Sequence, residues 1–72
     1  MASLPNVWPL SVTSQLNVTV PADTQVAIYS LAGEQVKNME VQSGTTAVNM
    51  SALANGLYIV KAGNKIFRVV KK

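Results

Sequence analysis

Apolar residues in this chain recur mostly at every second position, the spacing of half-buried strands rather than of a helix. Gln15-Leu16-Asn17-Val18-Thr19-Val20 alternates cleanly and puts Leu16, Val18 and Val20 on one face. Pro21-Ala22-Asp23-Thr24 ends that strand, because proline cannot continue a central ladder and aspartate favours turns. A second strand is predicted from Gln25 to Leu31. Val26 and Ile28 share one of its faces and Tyr29 and Leu31 the other, so it is expected to be covered on both sides and central. Ala32-Gly33-Glu34 reads as a tight reversal in which glycine supplies a positive φ. A third strand then runs from about Gln35 to Val41, with Val36 inward at its start and Met39 or Val41 later.

Ser43-Gly44-Thr45 turns the chain again, and Thr46 to Met50 forms a short strand centred on Ala47-Val48. Ser51-Ala52-Leu53-Ala54 resembles a helix start with a serine cap, but Asn55-Gly56 stops it within about one turn. The segment is therefore a compact corner, with Leu53 plugging the end of the core. Leu57 to Ala62 is a strand carrying Tyr58 and Val60 on one face. Gly63-Asn64 is a two-residue hairpin signal, and Lys65 to Lys71 returns as the last strand. A weaker strand lies within Trp8 to Thr13. Six or seven short strands with turns every 8–12 residues specify an all-β chain folded as one antiparallel β-sandwich.

Composition narrows the function more than the fold. At 72 residues the chain is one small domain, and it holds neither cysteine nor histidine. Disulfide stapling, zinc sites built on thiolate or imidazole, and Ser-His-Asp or Cys-His catalysis are thereby excluded. The acids are Asp23, Glu34 and Glu40, each a turn or strand-surface residue with no basic partner to tune it. Gly33, Gly44, Gly56 and Gly63 have no phosphate-cradling spacing, and no acidic loop supplies oxygens for calcium. No cofactor is implied. Asn17-Val18-Thr19 and Asn49-Met50-Ser51 match the glycosylation sequon, yet both lie in predicted strands and read as structural. Trp8, the sole tryptophan, is either a sugar or peptide platform or a cap on the end of the core; the cap is expected.

The net charge of +3 is concentrated: Lys61, Lys65, Arg68, Lys71 and Lys72 fall in the last twelve residues with no acid among them. Such a run is a footprint for nucleic acid or an anionic surface, or it is a solvated edge strand guarded by lysines. The edge is preferred, because Phe67 is the only aromatic there that could stack on a base. No stretch approaches the ~20 apolar residues of a membrane helix. Met1 to Pro5 has neither a charged n-region nor an apolar h-region. The chain is therefore cytoplasmic or was cut from a longer precursor, and Met1-Ala2-Ser3 is native or appended.

Four blocks occur in order and end at the last residue: Leu16-Asn17-Val18, Val26 through Val36 (VAIYSLAGEQV), Leu53 through Lys61 (LANGLYIVK) and Ile66 through Lys72 (IFRVVKK). Together they resemble the C-terminal sorting domains of the type IX (Por) secretion system. The resemblance covers residues 15–72, leaving 1–14 as an N-terminal segment or first strand. The family opens with a Tyr-Pro-Asn-Pro-like stretch. Here Leu4-Pro5-Asn6-Val7 keeps only Pro-Asn, and Trp8 to Ser14 add residues before Leu16, so the register of the first strand stays open.

The resemblance implies an Ig-like β-sandwich that acts as a transport label and not as an enzyme. In that family the domain ends a large secreted cargo. It reaches the periplasm with the cargo and is recognised by an outer-membrane translocon. A sortase-like cysteine peptidase then removes it, and the cargo stays at the surface of a Gram-negative cell or is secreted. Gly33, Val36, Leu53, Gly56, Tyr58 and Val60 are family-motif positions with structural roles. The last strand carries apolar residues between cations. Its residues, together with Lys61, form the expected translocon contact: Lys61, Lys65, Ile66, Phe67, Arg68, Val69, Val70, Lys71 and Lys72. Recognition by strand addition and charge is the expected mode, and the same edge allows a homodimer by pairing or strand swap. Neither nucleic acid nor membrane insertion enters this reading. The alternative is an Ig- or fibronectin-like accessory module that binds carbohydrate or protein at a cell surface.

Overall fold

A computed structural model describes residues 5–72. The expectations for Met1 to Ser3 lie outside them. Chain order runs β1 (Asn6–Trp8), β2 (Ser11–Val12), β3 (Gln15–Val20), β4 (Thr24–Ser30), β5 (Gln35–Val41), β6 (Gly44–Asn49), β7 (Gly56–Ala62) and β8 (Lys65–Lys71). The period-two pattern is realised most plainly in β3, where Leu16, Val18 and Val20 are buried and their neighbours face outward. Removing three such side chains from water contributes about 1.5–3 kcal/mol each. The β3 face is matched by Val26 and Ile28 of β4, Tyr58 and Val60 of β7, and Val69 of β8, and together they form a single core.

Two sheets enclose that core. One has three strands in the order β1-β3-β6, the other five in the order β2-β8-β7-β4-β5. Every pairing is antiparallel except β2 on β8, which is parallel. β4 is internal to its sheet, as expected of a central strand, but only one of its faces is covered by the second sheet: Tyr29 lies half-buried on the outer one. The result is an Ig-like sandwich, with eight strands among the described residues. The weak strand of the sequence divides into two, because the chain leaves the small sheet after Trp8 and enters the large one at Ser11.

Local chemistry fixes the connections. The Gly63-Asn64 turn joins Ala62 to its partner Lys65, with Gly63 at φ +61 and no positive φ at Asn64. That arrangement suits a two-residue hairpin whose first central residue is glycine. Gly33 (φ +88) closes the β4–β5 reversal, where its N–H donates to Ser30 O at 3.0 Å. The Asp23 carboxylate accepts the Ser43 N–H at 3.0 Å and ties together the two loops at that end. The corner at 51–55 is held by Leu53 N–H to Met50 O (3.1 Å) and by the Tyr58 hydroxyl, which donates to Ala54 O at 2.6 Å. A tyrosine hydroxyl bonded to backbone a few residues upstream is the tyrosine corner of Ig-like sandwiches.

Three side chains and the last strand depart from their expected places. Val36 does not point into the core: the register shifts between Ile28 and Tyr29, so that Ile28 faces Lys37 and Tyr29 faces Gln35. Val36 is the extra residue of this bulge and stays 38% exposed. Leu31 lies beyond the end of β4 in the reversal and is exposed rather than covered. Trp8 does not cap the core, because Val7 takes the inward position of β1 and alternation turns Trp8 outward. The last strand is not a bare sheet edge either, since β2 lies beside its final residues.

Candidate recognition surface

Alternation in β8 sends Phe67, Val69 and Lys71 towards the core and Ile66, Arg68 and Val70 outward. The same rule sends Leu57, Ile59 and Lys61 of β7 outward, with Ala27 and Tyr29 of β4. Cross-strand register assembles these into three rows: Val70 beside Leu57, Arg68 beside Ile59 beside Tyr29, and Ile66 beside Lys61 beside Ala27. Ile66 is 65% exposed and Val70 40%, while Ile59, Leu57 and Tyr29 are half-buried. The outer face of the large sheet is thus an apolar field carrying two cations, neither with a carboxylate directly opposite it.

The last strand also presents backbone. Val70 N–H donates to Leu10 O and Lys72 N–H to Val12 O, both at 2.8 Å. Ile66 and Arg68 share the parity of Val70, so their N–H and C=O groups point to the same side. β2 begins opposite Val70, and among the described residues no strand pairs with that side of Ile66 and Arg68. A short stretch of sheet edge is therefore left open beside the exposed side chains of Ile66 and Arg68. On the other flank of the face, Gln25, Ala27, Tyr29, Gln35, Asn38, Lys61 and Gly63 line an open groove of about 270 Å³. The Gln25 amide donates to Asn38 Oδ1 at its rim.

The match to known proteins decides what this domain is. The family described as "Secretion system C-terminal sorting domain" matches residues 6–72, spanning every strand described above. The chain belongs to the type IX secretion C-terminal sorting domain family. No curated protein and no solved structure matches it. Family membership makes the sorting domain an export signal for a cargo joined on its N-terminal side, a tag rather than a catalyst. Export to the cell surface or the medium follows from that role.

The motif positions of the sorting domain fall into separate structural classes. Tyr58 and Val60 are buried, and Leu53 packs against the core from the corner. Gly33 sits in the β4–β5 reversal, Gly56 opens β7 at φ +153, and Val36 is the exposed bulge residue. Among the positions expected to meet the translocon, Lys61, Lys65, Ile66, Arg68, Val70 and Lys72 are exposed. Val69 is fully buried, and Phe67 packs partly buried against the core. Lys71 is 7% exposed, with its ammonium 3.4 Å from Asn55 Oδ1 and 3.3 Å from Lys72 O. Ile59, Leu57 and Tyr29 complete the face although the basic run did not point to them; their signal was the register of β4 and β7 against β8.

Proposed function

We propose that this domain carries its cargo across the outer membrane by presenting the outer face of β7 and β8 to the type IX translocon, after which a sortase-like cysteine peptidase cuts it away. The observation that carries the reading is the clustering of Lys61, Ile66, Arg68 and Val70 on one exposed face, next to the open edge at Ile66 and Arg68. The apolar side chains offer area to bury and the cations select an acidic partner. Charge complementarity speeds encounter and rejects wrong surfaces more than it tightens the final complex. The open edge adds main-chain hydrogen bonds from an extended segment of the partner. Val69, Phe67 and Lys71 act from beneath, by holding the strand that displays the others.

The test replaces Lys61 and Arg68 with glutamate in a cargo fusion and measures both export and thermal unfolding. Both side chains are exposed, so folding stability should stay within about 0.5 kcal/mol of the parent. Export should fall to the level of a fusion lacking the domain. Parent-level export by the folded double variant would refute the charge part of the proposal. Export retained there but lost on Ile66→Pro, with the fold intact, would locate recognition in the open edge alone.

A further inference from the structure

The opposite side of the molecule has a different chemistry. All nine charged residues lie outside the three-stranded sheet: Lys37 and Glu40 on β5, Lys61 on β7, Lys65, Arg68 and Lys71 on β8, and Asp23, Glu34 and Lys72 outside any strand. The outward side chains of β1, β3 and β6 are instead a tryptophan, amides, threonines and an alanine. Register places Trp8, Asn17 and Ala47 in one row across the three strands, with Asn6, Thr19 and Thr45 in the next. Trp8 is 41% exposed at one margin and Ala47, exposed at the other, is too small to obstruct the row. Three strands at about 4.8 Å spacing give a platform about 10 Å wide.

We propose that this face is a binding platform for a neutral oligosaccharide, with Trp8 as its stacking ring and Asn17 as its central polar contact. A pyranose has an apolar C–H face and an equatorial belt of hydroxyls that both donate and accept hydrogen bonds. An indole ring matches the first. A primary amide, which also donates and accepts, matches the second. Thr19 and Thr45 satisfy one another across the strands at 2.8 Å, and Asn49 is engaged by Ser51. Among the described residues, the amides of Asn6, Gln15 and Asn17 make no side-chain hydrogen bond within the protein, which leaves them available to a ligand. The lack of any charge on the sheet selects a neutral sugar over an acidic one. A protein partner is a poorer fit, because protein interfaces bury an apolar centre and the middle strand here offers Gln15, Asn17 and Thr19.

The full 72-residue chain, isotope-labelled, is titrated with cellohexaose, mannohexaose and N-acetylchitohexaose, and with hexagalacturonate as the acidic comparison. The readouts are the Trp8 indole signal, the Asn17 side-chain amide and the fluorescence of the sole tryptophan. At least one neutral sugar should move these signals saturably in the millimolar range. Trp8→Ala should weaken that binding by about tenfold, and Asn17→Ala by less, with both variants still folded at the temperature of the titration. Should Trp8→Ala fail to fold, Trp8→Leu and Asn17→Ala carry the comparison. The proposal is wrong if no neutral sugar moves the signals, if only hexagalacturonate does, or if the shifts lie on β7 and β8. It is equally wrong if the face responds to a fused cargo domain and to no sugar.

Discussion

Replacing Tyr58 with phenylalanine isolates the single hydrogen bond that locks the corner onto β7. The ring is 7% exposed and keeps its place in the core, while the hydroxyl that donates to Ala54 O at 2.6 Å is lost. A hydrogen bond of this kind contributes about 1 kcal/mol net, and its part-buried setting puts the cost of losing it at about 1–2 kcal/mol. In a domain of this size that is a fall of roughly 5–15 °C in melting temperature. Tyr58→Ala removes the ring as well and should cost about 3–5 kcal/mol. A 72-residue domain has about 4–11 kcal/mol in all, so the alanine variant gives up a large share of its stability and should melt well below the phenylalanine variant. Urea and thermal denaturation followed by circular dichroism give both numbers, and an unchanged m-value for Tyr58→Phe keeps the comparison two-state. A phenylalanine variant as stable as the parent would refute the assigned role of the Ala54 bond. One as unstable as the alanine variant would show that the ring is not seated as described. Loss of export in Tyr58→Phe at a temperature where it is fully folded would mean that Tyr58 is also read by the translocon.

Leu16→Ala opens a cavity under the middle of the small sheet and should lower stability by about 2–5 kcal/mol in denaturant melts. Gly63→Ala should cost about 1–2 kcal/mol for conformational reasons alone, since a Cβ there meets Thr24 Cγ2 at an ordinary 3.4 Å; Gly63→Asn should recover part of the loss. Lys71→Met keeps the buried stem and removes a cation held only by two long contacts, so the melting temperature should stay level or rise, whereas Lys71→Ala should lower it.

Much of the sandwich was legible in the sequence because its long strands obey one rule. Leu16, Val18 and Val20 alternate over six residues, and so do Tyr58 and Val60 beside an Asn-Gly stop and a Gly-Asn hairpin. The misplacements share a cause: each depends on one residue of offset, or on a pairing too short to leave a period. Val36 is outward because the bulge inserts a residue opposite Ile28 and Tyr29, and nothing in the local pattern of Gln35-Val36-Lys37 marks it. Trp8 turns outward and Val7 inward, against the expected cap, because three residues of β1 do not define a face until β3 pairs with them. The two residues of β2 carry no periodicity, so the parallel cover on Val70 and Lys71 was invisible. The recognition surface was half legible. Clustered cations flagged β8, but the apolar residues between them divide by parity into Ile66 and Val70 outside and Val69 inside. The share of β7 and β4 in that face appears only once the strands are in register.

The central claim is that these residues suffice as an export address. Its most direct measurement fuses residues 1–72 to the C-terminus of a periplasm-targeted reporter and follows the reporter in two strains, one with an intact type IX translocon and one without. The reporter should reach the surface or medium in the first strain and stay in the periplasm of the second. Retention of the reporter in the periplasm of both strains would contradict the claim.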